Sequence, residues 1–223
     1  MKPFSDQGPT KAFTLLELLV VVAIIILIAF FAIPTNRPKK TARTICQSNL
    51  RQDAIALMYW SSDHGDRLPW GVSTNSGGSM EWVESEPAAM QFRPLQSLSE
   101  GSFRPQMLIC PADPSREAAA SVETLENTNL SYFINVAVPG LSASPRPSEV
   151  VLMGDRNLNV NGRALTTGLI SVSNTSNVEW TSDIHKNGGC FLFLDGHAEF
   201  VKTQGLNGII SKQGTSGLRL FVP

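Results

Sequence analysis

From Phe13 to Ile33 the chain carries FTLLELLVVVAIIILIAFFAI, 21 residues in which Glu17 is the single charge. As a helix this run would measure roughly 31 Å at about 1.5 Å per residue, close to the ~30 Å hydrocarbon thickness of a bilayer. Pro34 and Pro38 follow, where a helix should kink or stop. The expectation is a membrane-inserting helix. The segment ahead of it, MKPFSDQGPTKA, is short and polar and carries Lys2 and Lys11. A carboxylate in such a helix costs on the order of 2.5–3.5 kcal/mol on insertion scales, so Glu17 needs a partner. No basic side chain lies within one turn on its C-terminal side. Lys11 is the nearest cation, together with the α-amino group that a cut before Phe13 would create. Pairing of Glu17 with that amine on a neighbouring copy would satisfy both charges and fix an axial stagger between copies.

Two plainer explanations of the run remain beside this one. A secretory signal has an apolar stretch of about 7–15 residues and a small-x-small cleavage site. The uncharged stretch Leu18–Ile33 is longer, and no A-x-A follows it. A plain membrane anchor gives no reason for Glu17.

The segment KA-FTLLELLVVVAIII resembles the type IV prepilin cleavage and methylation motif. In that family a membrane peptidase cuts before a Phe and methylates its amine, and a Glu follows four residues later. Phe13 and Glu17 match those places, and Pro34 falls where many pilins carry a helix-bending proline. Ala12 departs from the Gly that usually precedes the cut, although it is also small. The resemblance implies a type IV pilus-like or type II secretion pseudopilus subunit, with a leader at 1–12 and a transmembrane and assembly helix at 13–34. An amphipathic continuation at 35–63 and a β-rich globular domain at 64–223 would follow. Ala12 and Phe13 would be the processing site, and Phe13 and Glu17 the assembly residues. The implied partners are a prepilin peptidase, other copies or minor pilins, and the inner membrane. The implied location is a single pass through the bacterial inner membrane, with the C-terminal domain outside the cytoplasm, and then a periplasmic or surface filament. Arg37, Lys39, Lys40 and Arg43 follow the helix, and the positive-inside rule alone would put that side in the cytoplasm. A membrane-anchored periplasmic or surface binding protein that never polymerises is the alternative.

Beyond the apolar run the chain has the composition of a folded domain, 42% hydrophobic and 17% charged. A formal net charge of -1 gives no electrostatic case for nucleic-acid binding. Residues 41–63 repeat apolar positions at steps of three and four, through Ala42, Ile45, Cys46, Leu50, Ala54, Leu57 and Met58, which predicts an amphipathic helix. A turn-rich stretch follows, in which Trp70 and Trp82 should hold the loop to the core. Strand signals lie at SYFINVAV, at EVVLMGD over 149–155 and at GGCFLFLDGHAEFV over 188–201. The last is a hairpin whose Asp195-Gly196 pair suits a type I′ turn. The Gly-rich remainder, 202–223, should be peripheral. The predicted fold is α+β, a long N-terminal helix packed on a small antiparallel sheet in the manner of a pilin.

His185, nine further residues and Asp195-Gly196 resemble the H-X9-DG motif of a bacterial group with pilin-like N-termini. The fragments CQSNLRQDAIALMYWSSDHGDRLP, LICPADP, SYFIN and VLMGDR accompany it in that group's order, so the likeness covers most of 13–201. The motif names a class and not an activity. As metal ligands, Asp155, Asp183, His185 and Asp195 are candidates by residue type. About 33 Å of extended chain would separate His185 from Asp195 unless it bends near Asn187-Gly188-Gly189. Otherwise His185 bonds a loop, Asp195 sets the turn and His197 faces solvent. No cofactor is required, and calcium is the ion that the likeness to major pseudopilins allows, since they bind it in a C-terminal loop.

Three cysteines exclude a disulfide framework, and none shows C-x-x-C spacing. One bridge could form on export; three pairings exist, and Cys46 with Cys110 is the one favoured. No G-x-S-x-G, Walker loop or H-E-x-x-H is present, and Cys190 lies in an apolar strand signal where a buried inert thiol is expected. No catalytic residue is assigned, although a tethered hydrolase built on His185 and Asp195 stays on the list.

Overall fold

The computed structural model describes residues 14–32, 38–85, 90–98, 103–214 and 217–223. The chain forms two units, Met1–Arg37 and Pro38–Pro223. In the first, α1 (Leu15–Ala32) is a helix of 18 residues. Thr14 and Glu17 cap its start reciprocally. The Thr14 N–H donates to Glu17 Oε2 at 2.9 Å, and the Glu17 N–H donates to Thr14 Oγ1 at 3.2 Å. This is the S/T-x-x-E capping box, which satisfies backbone donors that a helix start leaves open.

α1 overturns the expected long transmembrane helix. Its 18 residues measure about 27 Å. Among the described residues no helix is long and apolar enough to cross a membrane. The single-pass anchor and the inner-membrane location therefore lose their support. Among the described residues Thr14 is spent on the cap and α1 covers Leu15–Ala32, 18 residues of the 21-residue run. The expected leader, the Ala12–Phe13 cut and the bend at Pro34 lie outside the described residues.

The second unit runs through α2 (Pro38–Ser62), α3 (Met80–Ser85), α4 (Arg93–Gln96), β1 (Tyr132–Asn135), β2 (Val151–Asp155), β3 (Leu158–Val160) and β4 (Arg163–Ala164). It continues through β5 (Gly168–Val172), β6 (Val178–Trp180), β7 (Gly188–Phe193), β8 (Ala198–Lys202), α5 (Thr203–Ile210) and β9 (Leu218–Val222). A six-stranded antiparallel sheet has the order β5-β9-β1-β2-β7-β8, and a three-stranded one the order β4-β3-β6.

Side chains alternate across a strand, and here both sides are apolar, so both faces of the larger sheet are covered. Tyr132 and Ile134 of β1 and Cys190 and Leu192 of β7 enter one core with Cys46, Leu50 and Leu57 of α2. Phe133, Phe191 and Phe193 enter a second core with Leu206 and Ile210 of α5 and Val178 and Trp180 of β6. The expected single small sheet under one helix is thus replaced by two antiparallel sheets and a layered unit. The tail was also misjudged as peripheral. β9 pairs with both β5 and β1, and its Leu218, Leu220, Phe221 and Val222 are buried. Its short LRLFV run sits next to glycines, which hid a central strand. Trp70 is buried with its indole N–H on Val138 O at 2.6 Å, while Trp82 is half-buried under Arg93.

Candidate functional site

Four segments distant in sequence deliver polar side chains to one dry place between α2 and the sheet. Cys46 sits on the buried face of α2, and Cys110 follows the 3-10 turn Pro105–Leu108. Asp155 ends β2, and His185 precedes β7. All four are buried, and one donor atom from each lies within 4.8 Å of the others. Cys46 Sγ is 3.5 Å from Asp155 Oδ1, Cys110 Sγ is 3.3 Å from His185 Nε2, and His185 Nε2 is 3.6 Å from Asp155 Oδ2.

Local chemistry explains how each segment arrives. Asn49 of α2 donates from Nδ2 to Ile109 O at 2.9 Å, tying the Cys110 loop to the helix turn after Cys46. Arg156, next to Asp155, forks onto Asp113 through Nε at 3.0 Å and Nη2 at 3.1 Å, so β2 and the Cys110 loop are fixed together. Asn187 has φ 56°, which supplies the bend after His185. Gly189 is required just beyond, because a Cβ there would come 2.4 Å from the Trp180 ring.

Burial governs the electrostatics. It raises the Asp155 carboxyl to about 7, against the N–H of Cys190, which donates to Oδ2 at 2.6 Å. Burial, with Arg43 adding repulsion, lowers His185 to about 4, so the imidazole is neutral. Burial also pushes the Cys46 thiol up, and the hydrogen bond with Cys46 followed by burial does the same for Cys110. Burial thus disfavours the thiolate form that a cysteine nucleophile needs.

The two ends of the H-X9-DG pattern do not form one site. Asp195-Gly196 lies beyond the far end of β7, where the Asp195 carboxylate accepts from the His197 N–H at 3.1 Å. Gly196 N donates to Phe193 O, and Phe193 N to His197 O, both at 2.9 Å. Gly196 has φ 86°, while Asp195 is not in the positive-φ region. The hairpin is therefore a type I turn closed by a left-handed glycine, not the expected type I′ turn, which needs positive φ at both central residues. A Cβ on Gly196 would come 3.0 Å from Met58 Cε and 3.8 Å from Ala54 Cβ, so this tip rests on α2 as well. The strand β7 is held to α2 at both ends, by His185 beside Cys46 and by the tip beside Ala54 and Met58.

Of the candidates chosen by residue type, Asp155 and His185 come together, and Asp183 and Asp195 do not join them. The Asp183 carboxylate accepts from Thr181 Oγ1 at 2.7 Å at an exposed position. Cys46 and Cys110, paired in the sequence analysis as a disulfide, are adjacent but free, and Cys190 is free too. Their place as ligand candidates was missed because each donor comes alone from its segment, leaving no spacing pattern. The donor set does not suit calcium, which takes six to eight oxygens.

α1 presents a different kind of feature. Every residue from Thr14 to Ile28 is exposed, and all but Thr14 and Glu17 are apolar. Its cap holds the Glu17 carboxyl below its usual range, through the Thr14 N–H first and then the hydroxyl. T-x-x-E was legible in the sequence as this cap and was overlooked in favour of an intermolecular partner. Comparisons with family models, curated proteins and solved structures give no match, so the pilin and secretion resemblance gains no support from them.

Proposed function

We propose that this chain is a structural subunit of a pilus-like filament, assembling with copies of itself through α1 and carrying the second unit as its folded domain, and that it is not an enzyme. The observation that supports this is the uniform exposure of an apolar helix, with side chains such as Leu15 at 81%, Ile26 at 63% and Val21 at 43%. A helix apolar on one stripe docks in a groove, whereas one apolar all round is buried on every side. Neighbouring copies of the same helix, packed as a bundle, provide that surrounding. The polar cluster of the second unit is buried, in keeping with a structural role.

Glu17 has two candidate jobs: capping its own helix and pairing with the amine of a neighbour cut before Phe13. Glu17→Gln separates them, because the amide oxygen keeps the capping bond while the charge is lost. Electron microscopy and sedimentation of the chain cut before Phe13 should show filaments for the wild type and their loss in Glu17→Gln. Normal filaments in the variant would remove Glu17 from register setting. A wild type that stays monomeric in aqueous buffer would end the filament proposal.

A further inference from the structure

The geometry points to a structural zinc centre formed by Cys46, Cys110, Asp155 and His185, an S2NO set closed on all sides by protein. Zinc bonds of about 2.0–2.3 Å at tetrahedral angles put neighbouring donors about 3.3–3.8 Å apart. With Asp155 Oδ2 as the one carboxylate donor, Cys46 Sγ lies 3.8 Å and His185 Nε2 3.6 Å from it, and Cys110 Sγ lies 3.3 Å from His185 Nε2, all within that window. Thiolate and imidazole donors select a borderline-soft ion and disfavour calcium or magnesium. The surroundings match what such a centre needs. The Cys190 N–H orients Asp155 from 2.6 Å, and the Tyr132 hydroxyl reaches Cys46 Sγ at 3.5 Å.

Four protein ligands with no exposed side leave no position for substrate, so the ion would be structural. It would join α2, the Cys110 loop, the end of β2 and the start of β7, adding to the Arg156–Asp113 ion pair between the loop and β2. On binding, the two cysteine thiols release their protons to solvent and both sulfurs coordinate as thiolates. The H-X9-DG pattern then acquires a physical meaning at its first residue: His185 holds the metal at one end of β7, while Asp195-Gly196 shapes the turn at the other.

Metal analysis of the full-length chain, purified under reducing conditions, tests the centre. About one zinc per chain is expected, and replacement by Co(II) should give the intense visible absorption of a tetrahedral site with thiolate ligands. Cys46→Ala and Cys110→Ala should each lose that absorption, while Cys190→Ala, which removes a nearby thiol outside the ligand set, should keep it. Because ligand variants can fail to fold, the unsubstituted chain decides by itself. Uptake of neither Zn(II) nor Co(II) by the reduced protein overturns the centre, as does a Cys46–Cys110 disulfide in the purified chain. Full metal content in Cys46→Ala overturns the ligand set. Chelation of the wild type should also lower its thermal midpoint, and an unchanged midpoint contradicts a structural ion.

Discussion

α1 and α2 treat their side chains in opposite ways. α1 exposes a continuous apolar surface over residues 15–28, interrupted by the capped Glu17. α2 exposes Ile45 and the neighbouring Ile55 and Tyr59, and buries Cys46, Asp53 and Ser61 beside Leu50 and Leu57. Scattered exposed apolar residues are ordinary, but a whole helix of them is not. The contrast teaches where each helix finds its partners: those of α2 lie inside its own unit, and the proposed filament assigns those of α1 to neighbouring copies. It also shows why hydropathy alone misled, since the more apolar helix is the less buried one.

The largest expected effect is on assembly. Removing residues 1–37 should abolish polymerisation while the remaining unit still unfolds cooperatively in denaturant; polymers from the shortened chain would erase the distinction between the helices. Next comes stability of the folded unit. Leu50→Ala should cost about 2–5 kcal/mol, because it empties a fully buried site. Leu19→Ala, at 61% exposure, should stay within about 0.5 kcal/mol in the unassembled chain. Equal midpoint shifts in urea would contradict the assignment of burial.

Asp53 sharpens the comparison through pH. It is fully buried, neither carboxylate oxygen meets a partner among the described residues, and burial raises its pKa well above the ordinary value. A raised carboxyl favours the folded state most below the unfolded pKa of about 3.9, and that contribution is lost as pH rises toward the folded pKa. Asp53→Asn should therefore gain stability relative to wild type as pH rises above the unfolded pKa of about 3.9. A difference independent of pH would mean that Asp53 is partnered. The most local effect belongs to the cap. Thr14→Ala should weaken the start of α1 by about 0.5–2 kcal/mol, seen as lost amide protection over the first turn.

Much of the second unit could be read from sequence. The step of three and four across Cys46, Leu50, Ala54 and Leu57 marks the buried face of α2. VLMG, ahead of Asp155, and GGCFLF are apolar runs that mark strands covered on both sides. Asp53 was not legible, because a carboxyl on that face breaks the pattern that identifies the face. β9 was hidden by its shortness, and Thr14, counted in the expected span, is the cap of α1. In the site, residue type identified Asp155 and His185, but their meeting with Cys46 and Cys110 depends on pairings between elements far apart in the chain.

The central claim is that α1 is the surface through which copies meet. It is tested most directly by labelling Val22→Cys and Tyr59→Cys, 46% and 62% exposed, with an environment-sensitive fluorophore in aqueous buffer. The native cysteines are all buried, so the introduced thiol takes the label. On assembly the label at Val22 should shift to the blue and escape soluble quenchers, while that at Tyr59 should stay accessible. A polymer in which Val22 remains open to quencher would contradict the account.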